Sequence, residues 1–372
     1  MSDEGHPPPD QLPGAPHPRE TAQVFGHHAA EQEMLRAFAS GRMHHAWMIT
    51  GPKGIGKATL AWRFARFLLA TPPLEDDGLF GAPPPPETLG ISPDHPVARN
   101  MMAGATPGLK QVIRTPNERG VMRKQISVED VRALVPFFGL SAAHGGPRVV
   151  IVDAADEMNN QAANALLKML EEPPARAVLL LIAHQPSRLL PTIRSRCRTL
   201  RLTPPDPEDV ARALDQAGVS VAPEVAGHLA ELSGGSIGAA MQLLSLDGLA
   251  LYSELLALFA TLPRMDRARA TTLSRKAAGR DALDRANLIL DMLDILLARL
   301  ARTGATGTPP PEAAEGEAQI LARLSPDAHA ARRWADRAAA LTARARHGLA
   351  VNLDPAALVL DTVLSIEKNA AA

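Results

Sequence analysis

Residues 50–59 read Thr50-Gly51-Pro52-Lys53-Gly54-Ile55-Gly56-Lys57-Ala58-Thr59. A short apolar run, Ala46 to Ile49, precedes them, and Leu60 to Leu69 follows with helical apolar spacing. Strand, glycine-rich loop and helix in that order are the setting of a phosphate-binding P-loop. Glycines let successive backbone N–H groups converge on an anion, and the helix N-terminus adds about half a positive charge. On this pattern Gly51, Gly54, Gly56 and Lys57 form a nucleotide cradle, with Lys57 reaching the β- and γ-phosphates. One position departs. Where Ser or Thr should follow the lysine to hold magnesium stands Ala58, and Thr59, a further cradle candidate, lies about 100° further round the helix.

Downstream, Arg148-Val149-Val150-Ile151-Val152-Asp153 is β-branched and unalternating, as in a strand covered on both faces. Asp153 at its end takes the Walker B position, where a carboxylate orients magnesium and its waters. ATPases of this class carry a glutamate next; here it is Ala154. Lys110 to Arg114, Val178 to Ile182 and Thr199 to Leu202 read as further strands. Ser127 is placed to cap a helix running through Leu134 toward Phe138, Gly145-Gly146-Pro147 ends that segment, and Asn160 to Glu172 is a helix stopped by Pro173-Pro174.

The expected organisation has four parts. Residues 1–22 are a proline-rich disordered leader. Residues 23–203 form a P-loop α/β domain with a proline-rich insert at about 72–108 holding a short helix near Pro96 to Met102. Residues 204–247 make a small helical unit and 248–372 a larger one, interrupted by a loop at about 303–316.

Composition narrows the function. The 372 residues carry 39 Lys+Arg against 40 Asp+Glu, so no strong field for nucleic acid or membrane is advertised. The single cysteine, Cys197, excludes an intramolecular disulfide and a multi-cysteine zinc site, and suits a reducing cytoplasm. Leu288 to Leu300 is the most apolar run, but Asp291 and Asp294 interrupt it, so no membrane span is expected. Neither His27-His28 nor His44-His45 is expected to hold metal, because adjacent helical histidines face different ways.

Several blocks together resemble the AAA+ clamp-loader subunits of bacterial DNA polymerase III. They are His45-Ala46-Trp47 before GPKGIGKA, Ile126-Ser127-Val128-Glu129-Asp130-Val131-Arg132, and Val152-Asp153-Ala154-Ala155-Asp156. Asn164-Ala165-Leu166-Leu167-Lys168-Met169-Leu170-Glu171-Glu172-Pro173-Pro174, Thr192-Ile193-Arg194-Ser195-Arg196-Cys197 and Asn352-Leu353-Asp354-Pro355 complete the set. The resemblance implies an AAA+ parallel-sheet domain, a helical lid at 204–247 and an all-helical collar at 248–372.

Within that family the motor subunits, gamma or tau, keep a hydroxyl, a glutamate and a lid arginine where this chain has Ala58, Ala154 and Gly238. They also carry a four-cysteine zinc module where this chain has its proline-rich insert. Arg196 is retained as the family's arginine finger, which acts on a neighbouring subunit's ATP. That profile is similar to the delta prime, or stator, type. It implies a hetero-pentamer with motor and delta subunits, acting on the sliding clamp and primer-template DNA. It also implies a subunit of the DNA-directed DNA polymerase (nucleotidyltransferase) holoenzyme with no ATPase of its own and no required cofactor, ATP or ADP being at most a weak or structural ligand. The alternatives are an ATP-hydrolysing motor that tolerates Ala58, and a small-molecule kinase, which the helical third and the lack of an acceptor-site base argue against.

Overall fold

The computed structural model describes residues 9–11, 15–72, 84–139, 146–279 and 281–370. The chain divides into two compact units, residues 1–220 with 236–238, and residues 221–235 with 239–372.

The first unit is built on five parallel strands, β1 (Ala46–Thr50), β2 (Leu109–Val112), β3 (Arg148–Asp153), β4 (Ala177–Ala183) and β5 (Arg198–Arg201), in the order β2-β3-β4-β1-β5. The central strands are apolar at nearly every position because both faces are covered. Successive side chains alternate between the faces. Trp47, Ile49, Val149, Ile151, Leu180 and Ile182 therefore join one core, with residues of α1 (His28–Ala39) and α2 (Lys57–Ala70). Ala46, Met48, Val150, Val152, Leu179 and Leu181 join the other. That second core includes Val131 of α4 (Val128–Arg132), Leu134 of α5 (Leu134–Gly139), Leu166 of α6 (Asn160–Glu171) and Ile193 of α7 (Pro191–Arg194). The expected α/β P-loop architecture is borne out.

Several expected elements differ in detail. The helix capped by Ser127 is two helices: Ser127 and Asp130 form a reciprocal capping box for α4, and α5 restarts at Leu134. Pro136 explains the break, since a proline lacking its N–H is tolerated only in a helix's first turn. Gly145 lies outside the described residues. The insert does hold a short helix, α3 (Pro96–Met102), capped by the His95 ring, with Met101 buried in the α2 core; residues 73–83 of it lie outside the described residues.

The leader also needs correction where it is described. His17 is buried, its Nε2–H donates to Asp10 Oδ2 at 2.8 Å, and its ring meets Trp62 edge-on. Arg66 donates to the Arg19 carbonyl. Polar side chains therefore fix a proline-rich segment too poor in apolar residues to read as ordered; residues 1–8 and 12–14 lie outside the described residues.

The unit boundary falls inside the stretch expected as a lid. The helix Pro207–Gln216 (α8) stays with the sheet, its Gln216 Nε2 donating to the Gln23 carbonyl at 3.1 Å and its Arg212 lying over the Phe25 ring. The helix Pro223–Ser233 (α9) goes with the second unit, as does most of Ile237–Ser245 (α10).

The rest of the second unit is helical: Gly248–Phe259 (α11), Arg267–Arg275 (α12), Ala282–Thr306 (α13), Glu317–Leu324 (α14), Ala328–Ala350 (α15) and Pro355–Ala370 (α16). The pair α13 and α15 forms its spine. Asp291 and Asp294, which interrupt the apolar run, are one turn apart on α13 and both accept from Arg346 of α15 at 2.6 Å. Among the described residues no single helix is long and apolar enough to cross a membrane.

Candidate functional site

Ligands of open α/β sheets bind outside the C-terminal ends of the strands. Register places Thr50 beside Ala183 and Asp153 beside Ile182, so the P-loop, Asp153 and His184 share that edge. The loop has the backbone a cradle needs. Gly51, Gly54 and Gly56 have φ of +145°, +82° and +100°, a region costly for any residue with a Cβ. A Cβ on Gly51 would stand 2.6 Å from the Leu202 carbonyl, and one on Gly54 2.0 Å from Ser236 Oγ. Lys57, buried at the start of α2, donates to the carbonyls of Gly51, at 2.8 Å, and Pro52. Burial pulls its ammonium down to about 8 against the opposing charges of Asp153 and Asp156.

His27 Nε2–H donates to the Ile55 carbonyl at 2.6 Å, tying the start of α1 to the loop. Burial lowers its pKa, which favours the neutral ring. Ile237 N–H donates to the Gly54 carbonyl at 3.1 Å, so the neighbouring Gly238 is at the loop.

The fit to magnesium is poorer than the fit to phosphate. Ala58 offers a methyl packed against the α1–α2 core, and Thr59 is half-buried in the same helix. Burial, followed by the charge of Asp10, pushes the Asp153 carboxyl up to about 7, with Lys57 pulling the other way. Asp156 is occupied, its two oxygens accepting the backbone N–H groups of His184 and Gln185 at 2.9 Å each. His184 is held neutral, burial and then Lys57 pulling it down to about 4. Gly51, Gly54, Gly56 and Lys57 thus suit an anion, while the donor set for a catalytic metal is incomplete.

The opposite edge carries Arg196. Trp47 pairs with Arg198, so β5 starts at the N-terminal end of the sheet, and Arg196 precedes it by two residues. Its Nη2 meets Glu171 Oε1 at 2.9 Å and its Nη1–H donates to the Thr192 carbonyl at 3.1 Å. His45 Nε2–H donates to the Leu170 carbonyl at 3.1 Å, closing the end of α6. Three of the blocks quoted above, around His45, Glu171 and Arg196, therefore meet here. Arg198 lies 4.8 Å above the Trp47 ring and pairs with Glu33. Cys197 is inert, since burial pushes its thiol up to about 12.

Sequence reasoning did not single out His27, His184 or Glu171 as site residues. His184 alone carried a local signal, standing directly after the apolar run of β4.

A family profile described as DNA polymerase III, delta subunit, matches residues 26–206. Over those residues the chain is similar to that family. It is 41% identical over 168 residues to the DNA polymerase III subunit delta' of Pseudomonas aeruginosa, covering 45% of this chain and 46% of that one. To the subunit delta' of Escherichia coli it is 33% identical over 216 residues, 58% and 59% of the two chains. The family's motor side is less similar: the subunit tau of Escherichia coli is 28% identical over 197 residues, 52% of this chain and 27% of that one. The alignment spans about half the length of the delta' relatives.

Proposed function

We propose that this chain is a stator of the delta prime type in the clamp loader of DNA polymerase III. It joins the motor (gamma or tau) and delta subunits in a five-membered ring that places the sliding clamp on primer-template DNA in the cytoplasm. It supplies Arg196 to the ATP of the adjacent motor and turns over none itself, any nucleotide at Gly51 to Lys57 being structural.

One observation carries the reading. Arg196 is half-exposed at the N-terminal edge of the sheet, while the chain's own P-loop lies at the other edge. Three residues of strand rise separate Trp47 from Thr50, about 10 Å, so the guanidinium lies at the edge of the sheet opposite its own loop. The chemistry suits the role: a planar, permanently charged fork matches phosphate oxygens and can neutralise charge that builds up during transfer. An arginine supplied in trans contributes about 10³–10⁵ in rate.

The test is DNA- and clamp-stimulated ATP hydrolysis by the reconstituted loader. Arg196→Ala should leave assembly intact and remove hydrolysis at one motor site, a loss of about 10³ there or about 4 kcal/mol. Lysine at 196 should rescue poorly, since it lacks the fork. Lys57→Ala should leave the rate nearly unchanged. A crippling lysine change with a silent arginine change would make this chain a motor instead.

A further inference from the structure

We propose that Glu171 parks Arg196, a positioning residue that holds the guanidinium on its own chain until a neighbouring chain's phosphate displaces it. This rests on the reading of Arg196 as acting in trans. Both arms of the guanidinium are engaged within the chain, Nη2 with Glu171 Oε1 at 2.9 Å and Nη1 with the Thr192 carbonyl at 3.1 Å. A phosphate needs the same N–H fork, so the parked and engaged states exclude each other.

The site has the features a parking place needs. Glu171 is the last residue of α6, at the partially negative end of the helix, and Glu172 adds a second carboxylate. An unpaired carboxylate is disfavoured there, and a cation is drawn to it. The mounts are fixed. His45 closes the Leu170 carbonyl, Pro173-Pro174 follow, and Arg196 N–H donates to the Ile193 carbonyl at 3.1 Å. Side-chain rotation alone therefore switches the state.

The pair is also weak enough to yield. Its side chains are 37% and 45% exposed, and exposed pairs of this kind favour the joined form by only about two- to fivefold. Neutralising Glu171 removes a competitor for the fork and a negative charge facing the incoming phosphate. Both effects push the same way, toward engagement.

The experiment uses the assembled complex with Glu171→Gln, Arg196→Ala and the double variant. It reads the phase of ATP hydrolysis that Arg196→Ala abolishes. Glu171→Gln should raise kcat of that phase by about two- to fivefold without raising KM, and should leave the thermal unfolding of the isolated chain unchanged. The double variant should match Arg196→Ala, since Glu171 acts only through the arginine. A purely structural role for Glu171 would instead lower the stability of the Glu171→Gln chain and slow that phase. The parking role is overturned if Arg196→Ala abolishes the phase while Glu171→Gln leaves it unchanged or slower. If Arg196→Ala is itself silent, the action in trans fails and the parking role fails with it.

Discussion

At the scale of single residues, Asp153 shows how a motif can persist while its chemistry drifts. Its pKa of about 7, well above the ordinary 3.8, comes first from burial. Between those values the folded chain binds more protons at this group than the unfolded chain does. Its contribution to stability therefore falls as pH rises through that window. Asp153→Asn should unfold at the same temperature as the parent near pH 4 and at a higher one near pH 8, by roughly 2–4 °C for each kcal/mol relieved. Thermal melts across pH test this; a gap of the opposite sign at pH 8 would contradict the burial account. Lys57, also buried, donates to the carbonyls of Gly51 and Pro52.

At the scale of elements, the second unit is fastened by a charge cluster. Glu317, fully buried at the start of α14, accepts from Arg299 Nε at 2.6 Å and Nη2 at 3.0 Å, from Tyr252 at 2.5 Å and from the Ala313 N–H at 2.6 Å. Arg299 reaches on to Glu231 of α9 at 3.2 Å. Three helices and the loop before α14 thus converge on one carboxylate, and burial together with Glu317 pushes the Tyr252 hydroxyl pKa up. Removing one partner of such a set strands the other charge. Arg299→Ala should cost about 3–5 kcal/mol, whereas Glu231→Ala, whose carboxylate is 30% exposed, should cost about 0–1 kcal/mol. Urea unfolding of the full chain followed by a signal from the helical unit measures both, and equal costs would contradict the assignment.

At the scale of the whole chain, the division between units sets where it can be cut. A chain ending at Ser220 keeps all five strands and α8, and should fold. A chain ending at Gly248 also carries α9 and α10, whose buried Leu229, Leu232 and Leu243 belong to the helical unit. Each such side chain left without cover forfeits about 1.5–3 kcal/mol. The longer piece should therefore bind an apolar dye and aggregate where the shorter one stays monomeric, as size-exclusion chromatography would show. A soluble longer piece beside an unfolded shorter one would place the boundary elsewhere.

The sequence by itself determined the P-loop, the buried parallel strands and the resemblance to clamp-loader subunits, because each is written in short-range patterns. Glycine spacing, unbroken β-branched runs and the NALLKMLEEPP block need no knowledge of distant partners. It also exposed the missing magnesium ligand, since Ala58 is a single position in a fixed pattern. Only the tertiary structure decided what meets what. His45, Glu171 and Arg196 share one edge because strand order is β2-β3-β4-β1-β5, and that order follows from which crossovers bury both faces of the sheet, a long-range condition with no local signature. For the same reason the leader's docking through His17 and the Arg299–Glu317 cluster were invisible beforehand. Polar side chains paired between separate elements leave no periodicity, whereas apolar faces do.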